Sequence, residues 1–200
     1  MPTGVVILLW AGYTALQTLY VVGYISDGWS AILGFMPGLI GLGILLLVGH
    51  SRQELYLVAR PLSRPGFLVL TVVFLVALGA VLPFSFWGGW NWKGAFIYAP
   101  ASGISQELFF RSVLLPVMVM IIKGRKKIGL VLHSLLFGLW HIGPLFVGAP
   151  PWAVMAVMLV PFLCGLGWGW QVQRDGTVLW AMLQHSLIWV IGLQFILPGG

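Results

Sequence analysis

Charge is what this sequence most lacks: 7% of its 200 residues are Asp, Glu, Lys or Arg, against 60% that are apolar. So little polar surface excludes a water-soluble domain of this size, which would have to cover its exterior with groups that water solvates. Acid is scarcest, with Asp27, Glu54, Glu107 and Asp175 the only four carboxylate side chains. The one cysteine, Cys164, excludes an intrachain disulfide and reads as a small apolar filler. No fixed-period repeat, low-complexity tract or linker divides the chain, so residues 1–200 read as a single membrane domain. The first apolar stretch lacks a basic n-region and a small-residue cleavage site, so it is expected to stay as a helix and not act as a signal peptide.

What is present is a succession of apolar stretches, each long enough to cross ~30 Å of hydrocarbon at 1.5 Å per helical residue. Runs such as ILGFMPGLIGLGILLLVG are continuously apolar, without the alternation of a barrel strand. The fold class is therefore an all-α, polytopic transmembrane bundle. About seven spans are expected, near 4–24, 31–49, 66–85, 101–122, 128–147, 152–172 and 178–197. Gly34 with Gly38, and Gly165 with Gly169, stand four apart and are expected to let neighbouring helices approach closely. Pro37, Pro116 and Pro161 should kink their spans, and Trp87, Trp90 and Trp92 cluster where indole rings favour the headgroup region.

The net charge of +6 marks topology and not a nucleic-acid partner. With seven spans, eight basic residues (Arg52, Arg60, Arg64, Lys123, Arg125, Lys126, Lys127 and Arg174) share one side, while Lys93 alone lies opposite and Arg111 falls inside a span. The positive-inside rule then places the N-terminus in the cytoplasm and the C-terminus outside it.

Ionisable groups inside a span cost about 2.5–3.5 kcal/mol each on insertion scales, so each needs a partner or a purpose. Five fall there: Glu107 and Arg111 in the fourth span, His133 and His141 in the fifth, and His185 in the seventh, with Gln106 and Gln184 beside them. Glu107 and Arg111 stand one helical turn apart and can neutralise each other. His133 lies close to the cytoplasmic end, where its ring is expected to reach the interface. Glu107 and His141 come out at similar depth, with His185 nearer Arg111, so one inward-facing site is expected to gather Glu107, Arg111, His141 and His185. A carboxylate and an imidazole converging in a wet cavity activate water, and a second imidazole can donate to a developing oxyanion. Two histidines and a carboxylate are also the ligands of several catalytic zinc sites. Without an H-E-x-x-H motif, zinc at Glu107, His141 and His185 ranks behind a cofactor-free reading.

Gln106-Glu107-Leu108-Phe109-Phe110-Arg111, Phe137-Gly138-Leu139-Trp140-His141 and His185 resemble, in order and spacing, the E-E-x-x-x-R, F-x-x-x-H and H-x-x-x-N motifs of the CAAX-protease and bacteriocin-processing (CPBP, or Abi) family. The likeness covers roughly the half from 101 to 197. It implies an intramembrane endopeptidase of glutamic type acting on a membrane-embedded or membrane-anchored protein. In that family pattern Glu107 and His141 would activate water, Arg111 would orient the glutamate and His185 would stabilise the oxyanion, with Gln106, Phe137 and Trp189 in support. Gln106 replaces the first glutamate of the pair and Trp189 stands at the asparagine position. The alternative is accordingly a catalytically silent relative that binds a membrane peptide or lipid in the same cavity.

Overall fold

The computed structural model describes residues 2–87 and 92–196, and the described residues are helical with no strand. The elements are α1 (Pro2–Val21), α2 (Asp27–Leu33), α3 (Phe35–Leu47), α4 (Arg64–Trp87), α5 (Ala99–Phe109), α6 (Leu115–Ile121), α7 (Lys126–Leu139), α8 (Pro151–Asp175) and α9 (Leu179–Ile196). Wide π turns at Gly94–Tyr98 and Phe110–Leu114 flank α5 and join it with α6 into one span. Five helical segments are long and apolar enough to cross a membrane, and the described apolar parts of α4 and α9 are shorter. Their outward side chains are apolar, with Leu8, Leu47, Phe67 and Met155 among the most exposed. That is the surface of a bundle whose solvent is lipid.

The two π turns share a local cause. Each ends two residues before a proline, Pro100 or Pro116, which has no N–H for the carbonyl four residues back and whose ring crowds that carbonyl. Pro116 thus widens the helix where Arg111 sits, while Pro161 lies within an unbroken α8.

The span Gly94–Ile121 is 72% buried, against 11–33% for the other four long segments, so the helix carrying Glu107 and Arg111 is the centre of the bundle. Small residues allow this packing. A Cβ added at Gly38 would meet Leu108, and one at Gly41 would lie 2.6 Å from Val113, which seats α3 on α5 and the turn after it. Gly165 and Gly169 face Ser134, Leu130 and His133, bringing α8 against α7. Against α9 the tight point is Gly103, where an added Cβ would lie 2.6 Å from the backbone nitrogen of Ser186. The indoles of Trp10 and Trp140 tie α1 to α7 by donating to the carbonyls of Leu136 and Tyr13, each at 3.1 Å.

At one end of the bundle the loop after α3 is pinned to the loop after α8. The amide of Val178 donates to the carbonyl of Tyr56 at 3.0 Å, and Arg174 reaches both Asp175 and Ser63. In that same loop the backbone amide and hydroxyl of Ser51 hold the Glu54 carboxyl below its ordinary range. Of the tryptophans expected at the membrane surface, Trp92 is exposed and stacks on Phe96; Trp90 and the side chain of Trp87 lie outside the described residues.

Two expectations need correction. The fifth span is not one helix over 128–147: α7 stops at Leu139, and a short 3-10 turn follows over Gly143–Val147. Pro144 has no N–H to continue the helix. His133 does not reach an interface, because its ring is fully buried against Gly169, whose missing side chain leaves the room.

Candidate active site

Glu107 stands four residues after Gly103 on α5 and faces α9, which Gly103 meets at Ser186 without room for a side chain. Its carboxylate is fully buried and both oxygens are engaged. Oε2 lies 2.9 Å from Nε of Arg111, and Oε1 lies 2.8 Å from Nδ1 of His185. The arginine contact is ionic more than a directed hydrogen bond, since its N–H is not aligned on the oxygen. The guanidinium lies over the Phe137 ring at 4.3 Å and near that of Trp168 at 5.6 Å, while Nη1 and Nη2 have no hydrogen-bond partner among the described residues. Aromatic faces thus meet a cation that lipid would otherwise reject.

Hydrogen-bond chemistry fixes the histidine tautomers. The indole N–H of Trp189 donates to Nε2 of His185 at 3.1 Å, and an indole can only donate. Nε2 is therefore the acceptor, and in the neutral ring the proton sits on Nδ1, aimed at Glu107. Trp168 stacks on the imidazole at 4.6 Å. His141 follows the same logic: Nδ1 lies 3.0 Å from the carbonyl of Phe137, which only accepts, so Nε2 keeps its lone pair.

The structure therefore brings together Glu107, Arg111, His185 and Trp189. His141 stands on the same aromatic wall, its ring 5.2 Å from that of Phe137, while His185 is 6.1 Å from the same ring. Among the described residues no hydrogen bond or ion pair joins His141 to Glu107. Nor do three of His, Cys, Asp and Glu among the described residues come close enough to share a metal ion.

Gln106 points elsewhere. With Tyr13, Gln17, Ser102, Trp140 and Trp189 it lines a cavity of about 70 Å³ between α1, α2, α5 and α9, room for a few waters or one peptide unit. Its amide nitrogen donates to Oγ of Ser102 at 2.8 Å, and its Oε1 is buried without a partner among the described residues. Trp189 thus joins the cavity to the charged cluster. Ser102, Trp168, Tyr13 and Gln17 were not among the candidates read from sequence. The first two carry a readable signal, since Ser102 lies one turn before Gln106 and Trp168 belongs to the aromatic run Trp168-Gly169-Trp170. The α1 residues carry none.

The family described as Type II CAAX prenyl endopeptidase Rce1-like matches residues 86–191, just over half of the chain. That stretch contains Gln106, Glu107, Arg111, Phe137, His141, His185 and Trp189. No curated protein and no solved structure matches the chain.

Proposed function

Since this chain belongs to the Rce1-like type II CAAX prenyl endopeptidase family, we propose that it is an intramembrane endopeptidase cleaving a membrane-associated or membrane-anchored protein through an activated water. The observation that carries this reading is the hydrogen-bonded series Trp189, His185, Glu107, buried between helices of the bundle. A carboxylate behind an imidazole is the general arrangement by which enzymes orient a base.

In this reading the indole of Trp189 swings off His185 when substrate enters, freeing Nε2 beside the cavity. His185 takes a proton from water through Nε2, and the hydroxide attacks the scissile carbonyl carbon. Glu107 offsets the transient imidazolium through Nδ1–H, and Arg111 holds that carboxylate in place by ion contact. The released indole N–H is a donor for the oxyanion, a role worth about 10²–10³ in rate for a single donor. As the tetrahedral intermediate collapses, the carbon–nitrogen bond breaks and the proton on Nε2 passes to the leaving amine. His141, with Nε2 bare, is a second acceptor for the water. This gives Glu107 an orienting role and makes His185 the base, whereas the motif resemblance assigns activation to Glu107 and His141. The basic asymmetry of the loops supports a cytoplasmic N-terminus.

A second reading, a silent member that only binds its membrane peptide, is favoured by one specific observation. Oε1 of Glu107 and both nitrogens of His185 are already hydrogen-bonded, Oε2 lies in ion contact with Arg111, and the cavity wall carries neutral Gln106 in place of a carboxylate. Purified protein incubated with prenylated CAAX peptides separates the two. Cleavage that survives Gln106→Ala and is lost in His185→Ala with the fold intact supports the protease. A wild type that cuts nothing, beside a Gln106→Glu variant that does, supports the silent member.

A further inference from the structure

The cavity beside Trp189 has a chemistry of its own. Every described residue on its wall is uncharged: phenols, hydroxyls, amides, indoles and aliphatic groups. A free carboxylate entering it would lose its hydration without meeting a counter-charge, which is costly in a low-dielectric site. Yet the wall is not simply apolar. Gln106 is 3% exposed, its NH₂ donates to Ser102, and its Oε1 is left as a buried acceptor without a partner among the described residues. An acceptor left this way costs about 1–3 kcal/mol until a donor reaches it. A peptide N–H is the donor that an extended substrate brings to such a point. Much of the wall, from Tyr13 to Gly34, comes from α1, α2 and the residue after α2, outside the matched stretch of 86–191.

We propose that this cavity is a subsite for an internal, uncharged stretch of substrate backbone, one of whose amide N–H groups donates to Oε1 of Gln106, with the substrate's C-terminal carboxylate held elsewhere. The inference rests on the proposed function, since it names the part of a substrate that this site would read. It assigns to the N-terminal helices a share in specificity, and to Gln106 a binding role that a neutral amide fills without introducing charge.

The test is a binding cycle on the full-length protein in detergent, separate from cleavage. The probes are a prenylated peptide ending in a CAAX sequence, as free acid and as C-terminal amide, and versions N-methylated at one amide at a time. One N-methyl position is expected to weaken binding to the wild type about tenfold, and to weaken binding to Gln106→Leu by less than about threefold. Gln106→Glu keeps an acceptor oxygen and is expected to restore the sensitivity. Free acid and amide are expected to bind within about threefold of each other. Equal N-methyl losses in wild type and Gln106→Leu, a free acid favoured more than about tenfold, or no binding of any probe would each overturn the subsite. Cleavage is scored apart: a protein that cuts the peptide without this coupling keeps the proposed function and loses the subsite. One that binds with the coupling and cuts nothing keeps the subsite and loses the protease.

Discussion

Gly103 is the position where a single methyl group should reach the chemistry. It precedes Glu107 by one helical turn on the same face, and it meets Ser186, the residue after His185. A Cβ there would lie 2.6 Å from the backbone nitrogen of Ser186 and 2.8 Å from its Cα, whereas ordinary contact begins near 3.4 Å. Neither atom is the end of a flexible side chain, so Gly103→Ala must part the two helices by roughly 0.6–0.8 Å. Added to the 2.8 Å between Glu107 and His185, that separation leaves about 3.5 Å, beyond a useful hydrogen bond. Overpacking and the lost charge-assisted bond together should cost about 2–5 kcal/mol. Tryptophan-monitored thermal unfolding in detergent reads the stability, and cleavage of a prenylated CAAX peptide reads the site. Gly167→Ala is the control, because nothing lies within 4 Å of a Cβ there. If Gly103→Ala unfolds at the control's temperature and cuts at the wild-type rate, the α5–α9 contact does not set the distance between Glu107 and His185.

Four further outcomes are expected. Trp189→Phe keeps the ring and removes its N–H, so kcat should fall about 10²-fold with KM little changed; an unchanged kcat would discard the indole as oxyanion donor. Activity should survive chelation, and stoichiometric zinc whose removal reversibly abolishes cleavage would return Glu107, His141 and His185 to the role of ligands. A reporter fused after Gly200 should lie outside the cytoplasm, and a cytoplasmic one would refute the topology read from the basic loops. Glu107→Gln should destabilise by about 3–5 kcal/mol because it leaves the Arg111 charge buried alone, while Glu107→Gln with Arg111→Met should recover much of that loss; additive losses would mean that the ion contact contributes little.

The helices were legible because lipid leaves the backbone few choices, so apolar runs translate directly into spans. The contact between Glu107 and Arg111 was legible for a similar reason, since residues four apart meet on any helix. The setting of His141 is less direct: α7 ends at Leu139, so the ring stands just past the helix end, and Gly143-Pro144 is the sequence signal for that stop. The burial of His133 depends on Gly169 of another helix, so no reading of α7 alone could find it. The π turn that carries Arg111 follows from Pro116, read in the sequence as a kink; whether a proline bends, widens or is absorbed by a helix depends on what packs around it, as the unbroken helix at Pro161 illustrates.

Trp189 is the most instructive residue, because it stands where the family motif has an asparagine. An indole is too bulky to stand in simply for an asparagine side chain. One turn from His185, however, its N–H lands on the single imidazole nitrogen that Glu107 leaves free. Glu107 and Arg111 already cancel in charge, so the neutral tautomer that Trp189 enforces leaves the buried cluster without net charge, the arrangement least costly inside a bilayer. In the proposed mechanism, a proton accepted by His185 puts a net positive charge there. On that mechanism the cluster is most stable when idle, and the energy to open it would come from substrate filling the cavity that Trp189 borders.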